Sequence, residues 1–205
     1  MSQILKNEAA LYQTAWNMGG YGDFSPGERY LPIFEDAIAH LASSNVNVLD
    51  AGAGSGKGTQ ALLDKGYKVV MCDLSFDGLE DQDLRKHILC VETSLWSDLS
   101  FVPYMAKVFD PVFETGFHWG YCCDVMEHIP PQFTMLVAHQ ILNIVQGGVF
   151  FSIALTPDQF GFFAGEPLHK TVESFTWWRD SLSELGNVVN ARDLGNVGTY
   201  LVTKK

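Results

Sequence analysis

VNVLDAGAGSGKGTQ, residues Val46 to Gln60, decides the fold. The apolar opening from Val46 to Asp50 has the length and branching of a buried strand. Glycines follow at alternate positions, Gly52, Gly54 and Gly56, and the helix behind them carries Leu62 and Leu63 before stopping at Gly66. Strand, glycine turn and helix in that order let a main chain approach a nucleotide-like ligand closely.

Outward from this stretch the alternation repeats. Lys68 to Asp73, His87 to Glu92, Phe117 to Cys123 and Val149 to Leu155 read as further strands. Between the last two, Pro131 stands where a first helical residue belongs, Phe133, Val137, Ile141 and Ile144 form an apolar stripe, and Gly147 and Gly148 end the helix. Phe175, Trp178, Leu182 and Leu185 share one face of another helix, which ends at Gly186. Ahead of the turn, Leu31, Phe34, Ile38 and Leu41 predict a helix from Glu28 to about Ala42, with Pro32 tolerated in its first turn. Leu11, Tyr12, Ala15 and Trp16 predict a shorter one. Residues 93–115, with Trp96, Pro103 and Pro111, show no clear period and stay unassigned. Two closing strands, around 188–191 and 199–203, are joined without a helix and so should be antiparallel neighbours. Strands alternating with helices dictate a parallel sheet with crossovers. The expectation is one three-layer α/β domain over residues 1–205, with 1–27 as an N-terminal helix and lid.

Composition narrows the ligand. The 205 residues carry a formal net charge of -11 and only four arginines, Arg29, Arg85, Arg179 and Arg192. No nucleic-acid partner is expected from so acidic a chain, which suits a cationic or neutral small molecule better. Hydrophobic residues make up 47%, enough for a sizeable core, yet no apolar run approaches the roughly 20 residues of a membrane span. Cys72, Cys90, Cys122 and Cys123 are spaced neither as a disulfide frame nor as metal ligands, and the start MSQILKNEAA lacks the order of a signal peptide. A reducing cytoplasm is the expected location. Oligomeric state is not legible.

Three ligands compete for the glycine turn. The dinucleotide pattern G-x-G-x-x-G needs glycine at 57 or 59, where Lys57 and Thr59 stand. The phosphate loop G-x-x-x-x-G-K of nucleotide kinases needs glycine at 51, which is Ala51, and Asp50 would set a carboxylate beside the triphosphate. The third pattern, Asp-x-Gly-x-Gly-x-Gly, fits at every position. A ligand carrying a cation where a nucleotide carries phosphate makes Asp50 favourable. Asp73 lies 23 residues beyond Asp50, at the end of the next strand, where a carboxylate can accept both hydroxyls of a ribose.

This third pattern resembles motif I of the class I S-adenosylmethionine (SAM)-dependent methyltransferases. DVMEHIPP, Asp124 to Pro131, is similar to the D-V-L-E-H-I-P segment after the fourth strand of many small-molecule members. ETSLW, Glu92 to Trp96, falls where that family contacts adenine, and the closing strand pair matches its reversed last strand. The resemblance covers about residues 28–205. One departure is His118, which follows Phe117 where the family often has Asp.

The resemblance implies a Rossmann-like three-layer sandwich whose seven-stranded sheet is mostly parallel with the last strand antiparallel. It implies methyl transfer from SAM to an O, N or C nucleophile of a small acceptor, leaving S-adenosylhomocysteine. Carried onto this chain, the cofactor residues are Asp50, Gly52, Gly54, Gly56, Asp73 with the adjoining Leu74, Leu95, Trp96 and Asp124. The catalytic ones are Asp124, His128 and His169. Each has a plainer reading. Leu95 and Trp96 are also good core residues, Lys57 is either a partner of the SAM carboxylate or solvated, and Glu127 is either a site residue or a first-turn acid. His128 is either a general base or a histidine that hydrogen-bonds its loop. Asp124, Glu127 and His128 are a conceivable metal set, but no metal is expected. Tyr12, Trp16, Tyr21 and Phe24 suit a lid, Trp178 suits the core, and Trp177 and Phe162 stay open. No [DNS]-P-P-[YF] or Pro-Cys segment of the nucleic-acid methylating subclasses occurs. The alternatives are a SAM-binding module without catalysis and a phosphate-loop nucleotide kinase.

Overall fold

The computed structural model describes residues 3–17, 27–41, 46–158, 160–161 and 165–205. Its strands are β1 (Asn47–Ala51), β2 (Lys68–Asp73), β3 (Cys90–Glu92), β4 (Phe117–Cys123), β5 (Val145–Ala154), β6 (Asn187–Asp193) and β7 (Val197–Thr203). They form one seven-stranded sheet in the order β3-β2-β1-β4-β5-β7-β6. β1 to β5 pair in parallel, and β7 runs antiparallel to both β5 and β6. The chain steps outward from β1 to β2 and β3, then crosses to β4 on the other side. Such a reversal opens a crevice at the carboxyl ends of β1 and β4.

The helices are α1 (Gln3–Asn17), α2 (Leu31–Ile38), α3 (Lys57–Asp64), α4 (Leu84–His87), α5 (Val102–Phe109), α6 (Thr134–Ile144) and α7 (Phe175–Leu185). Side chains alternate across a strand, and β1 shows the consequence. Leu49 and Ala51 join Val102 and Ala106 of α5, Ile141 of α6 and Trp178 of α7 on one face. Val48 joins Phe34 and Ile38 of α2 and Leu62 of α3 on the other. Three layers result, as expected.

Boundaries differ from expectation at several places, among them α2, which spans only Leu31–Ile38 after a 3-10 turn at Gly27–Tyr30. Gly147 and Gly148 lie inside β5 and do not end α6. A Cβ on Gly148 would sit 2.3 Å from the Val202 carbonyl oxygen, so the glycine is there to let β7 close against β5. α6 starts at Thr134 and not at Pro131, because the Phe133 N–H turns back to the Pro130 carbonyl over 2.8 Å. His87 belongs to α4 and not to β3. The unassigned 93–115 stretch holds α5 and a 3-10 turn, Pro111–Phe113. Its period is hidden because α5 buries only Val102 and Ala106 while apolar Tyr104, Met105, Val108 and Phe109 are exposed.

The departure at His118 is structurally repaired. Its Nδ1 accepts a hydrogen bond from the Asn47 N–H over 2.9 Å, so an imidazole nitrogen serves as the acceptor at this position. The Asn47 side chain donates to the carbonyls of Val112 and Gly116 at 2.9 and 3.0 Å, fastening the start of β1 to the segment before β4. Among the described residues no helix is long and apolar enough to cross a membrane.

Trp178 is 0% exposed, in the core as its spacing predicted, whereas its neighbour Trp177 is 38% exposed. Trp178→Ala is expected to cost about 3–5 kcal/mol and Trp177→Ala about 1 kcal/mol or less, both read from urea unfolding.

Candidate active site

The turn after β1 is left-handed at all three glycines, with φ of 81°, 53° and 80° at Gly52, Gly54 and Gly56. A Cβ on Gly52 would lie 2.3 Å from Val125 Cγ2, so only glycine lets the turn abut the loop after β4. The Gly52 N–H donates to the Cys72 carbonyl over 2.7 Å. The Gly54 N–H donates to Asp73 Oδ2 over 2.8 Å and the Ser75 N–H to Oδ1 over 3.2 Å. Asp73 thereby ties the turn to the end of β2. Burial raises its pKa, and these N–H donors oppose the rise.

The loop after β4 is held as tightly. Asp124, with φ of 60°, is the one non-glycine residue at positive φ among those described, and its N–H donates to the Ser152 carbonyl over 2.9 Å. Backbone strain of this kind gathers at functional sites. A 3-10 turn, Met126–His128, follows. Glu127 is 0% exposed, and its Oε1 accepts the Ala154 N–H over 2.7 Å. Burial first, then the neighbouring Asp124 carboxylate, push its carboxyl well above the usual range. His128 Nδ1 lies 3.2 Å from the Leu168 carbonyl; a carbonyl only accepts, so Nδ1 carries the proton. Burial lowers this imidazole to about 4, and His169 acts in the same direction.

Between the two loops lies an open cleft of about 920 Å³, lined from four sides. Gly52, Gly54, Asp73 and Leu74 come from the β1 and β2 ends, and Ser94, Leu95 and Trp96 from the β3 end. Asp124, Val125 and His128 come from the β4 end, and α1 adds Glu8, Tyr12 and Trp16. Trp96 is propped by a stacked Phe133 ring at 5.5 Å, and Tyr12 meets His128 edge-on at 5.7 Å. Three acids and no lysine or arginine stand among the described lining residues. Cys123 also lines the cleft, its thiol pushed up by burial.

Four expected site residues do not reach the cleft. Asp50 points to the α3 side of the sheet, where it accepts the Thr59 hydroxyl over 2.5 Å, and burial pushes its pKa up to about 7. Gly56 shapes the α3 start, where a Cβ would strike Leu79 Cδ1 at 2.5 Å. Lys57 pairs with Glu80 at 2.9 Å. His169 stands beside His128, ring centroids 4.8 Å apart, but does not line the cleft. Tyr12 and Trp16 do line it, whereas Tyr21, Phe24 and Phe162 lie outside the described residues. Sequence reasoning missed Glu8, Ser94 and Cys123. Glu8 was legible in retrospect, since it precedes Leu11, Tyr12 and Ala15 by three, four and seven positions and so shares their face.

By sequence the chain matches no family model and no curated protein. By structure it resembles the 1,6-didemethyltoxoflavin-N1-methyltransferase of Burkholderia thailandensis, solved with 1,6-didemethyltoxoflavin and S-adenosylhomocysteine bound. That likeness has a TM-score of 0.69 at 14% identity and covers 100% of this chain and 92% of that one. It resembles the magnesium protoporphyrin IX methyltransferase of Synechocystis PCC 6803 with bound SAM at a TM-score of 0.61 and 12% identity, over 89% and 81% of the two chains. The PH0226 protein of Pyrococcus horikoshii OT3 aligns with a TM-score of 0.64 at 16% identity, over 85% and 87%. The fold is therefore the Rossmann-like fold of these proteins.

Two outcomes test the site's construction. Gly52→Ala, which meets Val125 at a left-handed torsion, is expected to destabilise by about 1–3 kcal/mol in urea titration. Folding raises Asp50 to about 7, so its stabilising contribution is complete below the unfolded carboxylate pKa of about 4 and is lost as pH rises through about 7. Asp50→Asn keeps an acceptor for Thr59 and should flatten that part of the profile, read from urea midpoints at about pH 5 and about pH 8.

Proposed function

We propose that this protein transfers the methyl group of SAM to a small-molecule acceptor, leaving S-adenosylhomocysteine. The observation that carries the reading is Asp73. Its carboxylate lines a cleft beside a glycine turn, and no lysine or arginine is present among the described lining residues. A ligand bearing hydroxyls and a positive charge suits such a place; a phosphorylated one does not. SAM brings a ribose diol for Asp73, a sulfonium for the acidic cleft and an adenine for the apolar walls of Leu95 and Trp96. The kinase alternative loses its lysine, since Lys57 is paired with Glu80.

The reaction is an in-line displacement: an acceptor atom forms a bond to the methyl carbon while the carbon–sulfur bond breaks and sulfur keeps the electron pair. Most of the rate enhancement comes from holding the acceptor atom and the methyl carbon in line within the cleft. Glu8, Tyr12 and Trp16 supply the outer wall, in keeping with residues 1–27 acting as a lid on one domain. A small acceptor is supported by the net charge of -11 and by relatives whose names specify a toxoflavin precursor and a porphyrin. Four free cysteines support residence in a reducing cytoplasm. Neither a nucleic acid nor a membrane is proposed as partner.

Calorimetry with SAM, S-adenosylhomocysteine and ATP tests this reading. Both SAM forms are expected to bind and ATP to give no heat; tight ATP binding without SAM binding would overturn it. Asp73→Ala, which removes hydrogen bonds to a charged group, should weaken SAM roughly 10- to 100-fold, and unchanged affinity would take Asp73 out of the site.

A further inference from the structure

Residues 166–171 return to the loop after β4 and dock on it. The Glu127 carbonyl accepts the N–H groups of Lys170 and Thr171 over 2.7 and 2.9 Å, and the Thr171 hydroxyl donates to the Ile129 carbonyl over 2.7 Å. Asp158 Oδ2 accepts the N–H groups of Leu168 and His169 at 2.8 and 3.0 Å. These bonds carry His169 to the Glu127–His128 pair, 41 residues from His128 in sequence.

The three side chains are oriented as ligands are. His128 Nδ1 is committed to the Leu168 carbonyl and His169 Nδ1 to the Thr156 carbonyl, the latter over 2.6 Å. A carbonyl accepts only, so both Nδ1 atoms carry protons, and Nε2 is the nitrogen each ring can offer to an ion. Fixing one ring nitrogen by a backbone carbonyl is how a metal-bound histidine is commonly held. Glu127 Oε1 is taken by the Ala154 N–H, while Oε2 is buried with no N–H or hydroxyl donor on it, and the Asp124 carboxyl is the side chain's other polar neighbour. Ligand atoms from the three residues lie within 4.8 Å of one another, and the two rings stand at 88°. Asp124, the third member of the set conceivable from sequence, is replaced in this group by His169.

We propose that Glu127, His128 and His169 hold a divalent first-row transition-metal ion at the edge of the cleft, and that the ion binds an oxygen acceptor. Two imidazoles and one carboxylate suit zinc, iron, manganese or cobalt in the divalent state, and three protein ligands leave positions open. The inference rests on the methyl-transfer reading for its acceptor class, not for the ion site itself. An acceptor hydroxyl on such an ion loses its proton to water near neutral pH. An oxygen lone pair then forms the bond to the methyl carbon, the carbon–sulfur bond breaks, and sulfur retains the electrons.

The test titrates Co2+ into the full chain after chelator treatment, followed by visible absorption and calorimetry. The wild type is expected to bind one equivalent with a new absorption band. His169→Ala should weaken binding about 10- to 100-fold or more, with Glu127→Gln doing the same. Circular dichroism checks that each variant is folded; His169→Ala carries the test if Glu127→Gln does not fold. No binding of Co2+ or Zn2+ by the wild type, or unchanged Co2+ affinity in folded His169→Ala, would overturn the site. Displacement of Co2+ by modest Mg2+ would overturn its assignment to a transition metal. Failure to bind SAM with Co2+ still bound by the same three residues would overturn only the methyl-transfer role.

Discussion

A bend of main chain pressed against a side chain governs this molecule. At Gly52 the chain leaves β1 with no space for a Cβ, because Val125 from the loop after β4 already fills it. Two residues later the Gly54 N–H is caught by Asp73 from the end of β2. The ends of three adjacent strands are thereby locked into one rim. The cleft exists because the sheet order reverses between β1 and β4, and its shape follows because that rim cannot relax. Asp124 adopts, with a side chain, the left-handed torsion that the glycines adopt without one, and does so at the same rim.

Electrostatics divide the acids between two jobs. Asp73 and Asp124 face the cleft, where a cationic ligand would be attracted to them. Asp50 and Glu127 are withdrawn from water, and burial raises both. One is quieted by the Thr59 hydroxyl; the other keeps an oxygen with no N–H or hydroxyl donor on it.

Much of the fold could be read from the sequence because strands buried on both faces are continuous apolar runs, and β2 and β4 were legible to the residue. α5 could not be read, since four of its apolar side chains are exposed and the buried pair alone makes no stripe. Within the site, Gly52, Gly54, Asp73, Asp124 and His128 were legible because local torsion or strand ends determine them. Asp50 misled because strand alternation turns it toward α3, and the ligand-facing side of an acid cannot be judged from a motif. His169 was anticipated as a site residue, but its place beside Glu127, 42 positions earlier, depends on the Lys170 and Thr171 N–H groups that dock on the Glu127 carbonyl. Glu8 was missed because an acid on an apolar face looks like an interruption.

The buried thiol of Cys123 has a chemical consequence of its own. A sulfonium is an alkylating agent toward any thiolate within reach, and self-alkylation would silence the protein after one event. Cys123 lines the cleft, but desolvation keeps its sulfur protonated and so poorly nucleophilic. Cys122, one residue earlier, is likewise pushed up by burial and faces the opposite side of the sheet. If the proposed methyl transfer is this protein's reaction, burial of the two thiols protects it from its own reagent.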